Sequence, residues 1–298
     1  MSYDVPAQMK RPSPSRAVFL LASLLPCLLA SSVSAQTRPL RTPDAEILPP
    51  GTSRTQVGFD FLQDITFPAS GLTGDLTSVG VLTSRLSLGK LVEIQTEQAI
   101  YQFLAVKQQA GGVITPALTS ANATRDVGDL TVFTKIRLLT ESGKRPAVAV
   151  RFGFQVPSSN QARGIGLNTS NLFAEAIFQK HIGRADLFGS LGVAILQSPT
   201  ANFTQNDVLT YGAAVVYRLT DKLNLAGEVF GRYSSRTITP ALIGTESRSQ
   251  ARFGLQILAG GLTWDVAGVA GLTSRDAKTG LTFGVSKDIK LFDYSKVP

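Results

Sequence analysis

The sequence is poor in the residues that most often carry catalysis and metal binding. Its 298 residues include one cysteine, one histidine and one tryptophan. A zinc site needs several histidine or cysteine ligands, and the acidic residues do not follow the spacing of a calcium-binding EF-hand loop. The sequence therefore predicts no metal and no cofactor.

Long hydrophobic runs are also absent, except at the N-terminus. Residues 17–30, "AVFLLASLLPCLLA", form a 14-residue apolar core, which is short for a transmembrane helix. Small residues follow at "VSA", and the run is preceded by three basic residues, Lys10, Arg11 and Arg16. This order predicts a secretory signal peptide over residues 1–35, cleaved near Ala35.

Cleavage would remove Cys27, and the mature chain would then have no thiol chemistry and no disulfide. It would also remove three basic residues and Asp4, which lowers the net charge from +8 to +6. An exported protein does not meet the genome, so we expect no nucleic-acid partner. No later stretch offers 18 consecutive apolar residues, so helices are not expected to span a membrane.

Beyond the leader, the dominant pattern is alternation of apolar and polar residues. Residues 36–54 contain four prolines and no periodicity, and they are predicted to form an extended or disordered periplasmic lead-in. The following region predicts an all-β fold, a transmembrane antiparallel β-barrel of about 12 strands over residues 55–292, with a C-terminal tail at 293–298. The predicted strands are 55–67, 74–88, 91–106, 128–140, 146–157, 169–182, 186–197, 206–219, 222–233, 249–260, 261–272 and 279–292. Most are long enough to cross a bilayer, whereas strands of soluble proteins average about five or six residues.

The predicted connections alternate in length. The odd-numbered ones are longer than their even-numbered neighbours, and the three longest, 107–127, 158–168 and 234–248, are all odd. Long loops at one rim and short turns at the other are typical of outer-membrane barrels. We therefore expect the short turns on the periplasmic side and outer-membrane lipid around the barrel.

The two faces of each predicted strand differ sharply. In "PAVAVRFGFQV" (146–156) one face carries valines and phenylalanines, and the other carries Arg151 and Gln155. In a membrane barrel the apolar face meets lipid and the polar face lines the lumen. The predicted lumen-lining residues are Arg85, Glu93, Gln95, Glu97, Lys135, Arg137, Arg151, Gln155, Glu175, Gln179, Glu228, Arg232, Arg252, Gln256 and Asp265.

Two arrangements of these charges are compatible with the sequence. Opposed acidic and basic walls would orient polar solutes in an open channel. Alternatively, the charges could pair into a network that fills the lumen, as in small barrels. Twelve strands lie between the filled eight-stranded and the open sixteen-stranded barrels, so strand number does not decide between them.

The lone histidine argues against catalysis. A Ser–His pair, as in the membrane phospholipases built on twelve-stranded barrels, would have to use His181. His181 stands at the end of a predicted strand beside the short turn 182–184, and Ser170 is at the opposite end of that strand. We predict that the protein is not an enzyme, and an outer-membrane lipid hydrolase is the least favoured alternative.

Several segments resemble a known family. The quoted stretches are "DVGDLTVFTKIRLL", "PAVAVRFGFQVPSS", "GIGLNTSNLFAEAIFQK", "LFGSLGVAI" and "YGAAVVYRLTDKLNLAGEVFGR". They resemble the outer-membrane proteins of the putative MetA-pathway of phenol degradation family, over about residues 50–292. The resemblance implies a porin-like transporter for small, often aromatic or hydrophobic compounds, and it supplies no site residues.

The predicted function is therefore passive passage of small molecules through the bacterial outer membrane. The alternative is a filled structural or adhesive barrel that uses loops 107–127 and 234–248 as its contact surface.

Overall fold

The computed structural model describes residues 41–199, 205–235 and 243–293. The predicted signal peptide lies outside these residues, as does the C-terminal tail after Asp293. In the described ranges no helix is long and apolar enough to cross a membrane.

Thirteen strands of the described residues form one antiparallel sheet, and twelve of them close into a barrel. Strand β1 pairs with β2 on one side and with the last strand, β13, on the other, while β2 also pairs with β3. The strands are β1 Thr52–Phe67, β2 Leu72–Ser87, β3 Val92–Gln109, β4 Ala123–Asp126, β5 Leu130–Leu139, β6 Ala147–Val156, β7 Asn171–Ile182, β8 Ala185–Gln197, β9 Gln205–Arg218, β10 Leu223–Tyr233, β11 Arg248–Ala259, β12 Leu262–Gly271 and β13 Thr279–Lys290. The predicted twelve-stranded barrel is confirmed.

The connections sort to the two ends of the barrel. The short-turn end carries 88–91, 140–146, 183–184, 219–222 and 260–261, together with the start of β1 and the end of β13. The long-loop end carries 68–71, 110–129, 157–170 and 272–278. Strands β8 and β10 also end there, and β9 and β11 begin there. The first long-end connection, 68–71, is no longer than its neighbour 88–91, so the predicted difference between that pair is not observed. The loop 110–129 contains β4, which continues the sheet beside β3.

Alternation along each strand separates an outer apolar face from an inner polar face. On β6 the Phe152 side chain is 54% exposed and Arg151 is 7% exposed. On β11 Phe253 is 64% exposed, whereas Arg252 and Gln256 are buried. Apolar side chains that are exposed outside a closed barrel match a hydrocarbon environment, as in a barrel that spans a membrane.

Strict alternation fails at one point in β2. Gly80 has a φ of +65°, and the register between β1 and β2 shifts beside it. This is a β-bulge, in which one extra residue turns the following side chains to the other face. Ser78 before the bulge and Arg85 after it are therefore both buried, although they are seven positions apart and strict alternation would put them on opposite faces.

An apolar cluster closes part of the long-loop end. Leu72 and Leu104, from the adjoining ends of β2 and β3, are fully buried in it, together with Ile165 from the loop 157–170. The loop enters the barrel mouth at Gly164, whose carbonyl accepts a 2.6 Å hydrogen bond from Ser70 Oγ. The mouth is thus narrowed by a loop that folds inward.

Candidate functional site: the lumen and its inserted segment

The fifteen residues predicted to line the lumen are all buried or half-buried in the structure. The buried ones are Arg85, Glu93, Gln95, Lys135, Arg151, Gln179, Glu228, Arg252, Gln256 and Asp265. The half-buried ones are Glu97, Arg137, Gln155, Glu175 and Arg232. Because charged side chains are rarely buried without partners, the contacts of these residues define the site.

Residues 41–48, which we call the inserted segment, lie among these side chains. The predicted periplasmic lead-in covered residues 36–54, but this part of it is neither free nor disordered. Thr42, Pro43, Asp44 and Ala45 are buried. The rest of the predicted lead-in divides between strand β1, which begins at Thr52, and residues 36–40, which lie outside the described ranges.

Barrel side chains hold the backbone of the inserted segment. The amide of Thr42 donates to Glu228 Oε2 at 2.8 Å, and the amide of Ala45 donates to Gln179 Oε1 at 3.1 Å. The amide of Leu48 donates to Glu93 Oε2 at 3.1 Å. These acceptors lie on β10, β7 and β3. A buried amide without a hydrogen-bond partner destabilises a fold, so these side chains take the place of the neighbouring strand that the segment lacks.

The strongest contacts form a buried charge cluster of Asp44, Arg85, Glu93 and Lys135. Both carboxylate oxygens of Asp44 accept hydrogen bonds from Arg85, Oδ2 from Nη1 at 2.6 Å and Oδ1 from Nη2 at 2.9 Å. Lys135 Nζ donates to Asp44 Oδ1 at 2.8 Å and lies 3.2 Å from Glu93 Oε1. Arg85 Nε also donates to Glu93 Oε1 at 2.7 Å. Two cations face two anions, so the cluster is neutral only while the inserted segment supplies Asp44.

A second group of lumen charges involves the barrel wall alone. Arg151 Nε donates to Glu175 Oε2 at 2.6 Å, and its guanidinium carbon lies 4.1 Å from the centre of the Phe133 ring. Phe133 packs on Phe173, with ring centres 5.7 Å apart. Neither of these inward aromatic rings is among the residues predicted from the sequence to line the lumen. The glycine at position 153 indicates that a large side chain lies beside it. Gly153 pairs with Phe133 across β5 and β6, and a larger residue there would collide with the ring.

The remaining predicted residues take local partners. Arg137 contacts Glu46 of the inserted segment at 3.3 Å. The other pairs are Arg151 with Gln95 and with Glu97, Gln155 with Asp129, Arg232 with Glu246, Arg252 with Glu228, Gln256 with Asn224, and Asp265 with Gln56. The charges are therefore distributed through the lumen and do not converge on one centre.

Two cavities lie on either side of the inserted segment. The upper cavity, of about 380 Å³, reaches from Arg41 to Ile165 and Leu167 of the inward loop. The lower cavity, of about 400 Å³, is lined by Glu46 and Gln179 together with residues of the short-turn end. The inserted segment thus stands between the lumen and the short-turn opening.

Pairs of charged and titratable side chains lie at the short-turn rim. His181 Nδ1 and Asp186 Oδ1 are 2.7 Å apart, across the hairpin of β7 and β8. Nearby, Lys180 donates to Glu141 Oε1 at 2.6 Å, and this bond lowers the pKa of Glu141 below its ordinary value. Within the described ranges no cluster of three or more histidine, cysteine or acidic residues could hold a metal ion.

Comparison with solved structures finds barrels of the same kind. The COG4313 outer membrane channel from Pseudomonas putida F1 has a TM-score of 0.57 and 16% identity, with 83% of this chain and 98% of that chain covered. The NanC porin has a TM-score of 0.41 and 7% identity, with 78% and 97% covered. The likeness to the COG4313 channel shows the fold alone. A search of curated protein sequences gives no significant match.

A match to a family model shows which protein family the chain belongs to. The model described as "Putative MetA-pathway of phenol degradation" matches residues 38–286, which include the inserted segment and nearly all of the barrel. The resemblance read from the strand segments is therefore confirmed, and the chain belongs to this family of outer-membrane β-barrel proteins.

Proposed function

We propose that the protein is a channel for passive passage of small molecules across the outer membrane. The observation that carries the proposal is the upper cavity, a space of about 380 Å³ inside the barrel between the inserted segment and the inward loop. Such a space would hold about a dozen water molecules at roughly 30 Å³ each. A barrel whose only role was structural would not need it.

The inserted segment makes the proposed channel a restricted one. It separates the upper from the lower cavity and is fixed by the buried charge cluster. Passage therefore requires the segment to move within the lumen or to leave it. Side-chain contacts, without a covalent link, are compatible with such movement because ions and water can replace them.

A specific observation favours the alternative of a filled barrel. Lys135, Glu93 and Ala45 have no exposed surface, so the lumen beside the inserted segment is closed. Planar-bilayer recording of the refolded protein separates the two functions. Stepwise conductance supports the channel; a barrel that migrates as folded but conducts no ions and admits no solute into proteoliposomes refutes it.

We further propose that the protein acts without catalysis. His181 and Asp186 form a pair, but they lie at the short-turn rim on a hairpin that brings no serine to the imidazole. The expected result is no esterase or phospholipase activity above a refolded His181→Ala control. Lipid hydrolysis that this variant abolishes would refute the proposal.

The orientation is proposed with the short turns in the periplasm and a leader cleaved near Ala35. Ala121 lies exposed in the loop 110–129 and Lys90 lies exposed in the turn 88–91. A cysteine at Ala121 should react with an impermeant maleimide on intact cells, and one at Lys90 should react only after lysis. The reverse pattern would invert the orientation. N-terminal sequencing of the outer-membrane form tests the cleavage site, with Gln36 expected as the first residue.

A further inference from the structure

The upper cavity is lined mainly by polar side chains. Of the residues around it, seven are charged, five are amides and four carry hydroxyls. The amides include Gln98, Gln102 and Asn171, which present both donors and acceptors. The inward rings of Phe133 and Phe173 are not among the lining residues. This lining suits a hydrated solute and gives an apolar one little to contact.

Three arginines and four acids line the upper cavity. Asp60 lies 3.5 Å from Arg41, and Asp265 accepts a hydrogen bond from Gln56. The other four charges stand on two opposite walls. Arg232 on β10 and Arg252 on β11 stand on adjacent strands. Glu97 on β3 and Asp129, directly before β5, stand on the wall formed by β3 and β5. In the closed sheet, four strands separate β11 from β3 on one side and six on the other, so these walls face each other across the lumen.

Each wall keeps part of its charge available to the cavity. The Arg232 side chain is 26% exposed, and its nearest carboxylate, Glu246, is 3.8 Å away. The Glu97 side chain is 23% exposed, and its guanidinium partner, Arg151, is 3.7 Å away. Arg232 Nε and Nη2 also donate to the backbone carbonyls of Glu246 and Gly244 at 2.9 and 3.0 Å, and these neutral acceptors hold the guanidinium in place without cancelling its charge. A fixed field therefore crosses the cavity from the arginine wall to the acidic wall.

From this arrangement we propose that the upper cavity selects small zwitterionic solutes, a substrate class that rests on the proposed channel function. The solute's carboxylate faces Arg232 and Arg252, and its ammonium group faces Glu97 and Asp129. Such a solute exchanges its hydration for fixed charges and amides, whereas an apolar solute displaces water without forming equivalent bonds.

Liposome swelling with three solutes of similar size tests the proposal. The zwitterion is γ-aminobutyrate, the neutral polyol is erythritol, and para-hydroxybenzoate is an aromatic carboxylate. We expect γ-aminobutyrate to enter about tenfold faster than erythritol, the lower end of the enhancement found for charge-lined clefts. Entry of erythritol or para-hydroxybenzoate at the same or a higher rate would overturn the selectivity but leave the channel standing. Entry of none of the solutes, with no conductance, would refute the channel itself.

Variants that neutralise either wall test whether its charges cause the selectivity. Arg232→Gln with Arg252→Gln, or Glu97→Gln with Asp129→Asn, should reduce the ratio of zwitterion to polyol entry to about one. Arg145→Gln removes a charge from an exposed rim position outside the cavity and should leave the ratio unchanged. Heat-modifiable migration on gels shows which variants fold. Arg252→Lys with Glu97→Asp keeps both signs of charge and should retain the preference even if the neutral variants fold poorly. An unchanged ratio in a folded wall variant would overturn the assignment.

Discussion

Neutralising Asp44 should release the inserted segment from the lumen. The Asp44→Asn substitution leaves Arg85 and Lys135 facing Glu93 alone, an excess of one buried positive charge. Removing one partner of a buried ion pair costs about 3–5 kcal/mol. For the free energy that holds the inserted segment in the lumen we use a loss of about 3 kcal/mol, the lower end of this range. The lower value applies because water can reach the remaining charges once the segment has left. At about 1.4 kcal/mol per factor of ten, the ratio of released to docked segment rises by roughly a hundredfold.

Two assays measure this release. In planar bilayers the variant should spend more time at a conductance above the wild-type level, since the segment no longer separates the two cavities. A cysteine in place of the buried Pro43 should resist labelling in an otherwise wild-type protein and react in the Asp44→Asn background. Because the predicted leader carries the single native cysteine, Cys27, the mature form offers no competing thiol.

Asp221→Asn is the matched control, because Asp221 is an exposed carboxylate in the turn 219–222. It should leave conductance and thiol protection at wild-type values. Folded Asp44→Asn protein with wild-type conductance and a protected Pro43→Cys thiol would contradict the prediction. That result would mean that the backbone hydrogen bonds hold the segment without the charge cluster.

Two further results are expected. Gly153→Ala should lower the free energy of unfolding by about 1–3 kcal/mol, because an added Cβ would lie 2.2 Å from a ring carbon of Phe133, whereas Gly189→Ala, with open space around it, should change it little in the same urea titration. Glu141 has a lowered pKa because of its hydrogen bond to Lys180, so the stability that this bond adds is complete above the ordinary pKa of 4.5 and is lost as the pH falls through the lowered pKa. The amide protection factors of the loop 140–146, measured against the intrinsic exchange rate at each pH, should fall in acid, and Glu141→Gln should remove that pH dependence.

The strand pattern made most of the barrel predictable. Strand β6 was expected at 146–157 and is found at Ala147–Val156, because alternation and strand length are properties of neighbouring residues. The short strand β4 was missed, since four residues with no apolar face give no such signal. The bulge at Gly80 was missed as well, because its positive φ depends on the register with β1.

The sequence by itself determined the membrane barrel, because the barrel follows from a two-residue period repeated along long strands. The set of lumen-facing residues stays a prediction from the same period. Only the tertiary structure decided what fills that lumen. Residues 41–48 have no periodicity, and their partners lie far along the chain, 41 residues away for Arg85 and 186 for Glu228. Burial strengthens contacts between such distant groups, and barrel closure brings them together. The buried contacts of Asp44 with Arg85 and Lys135 therefore hold inside the barrel a segment whose own sequence carries no signal of its position.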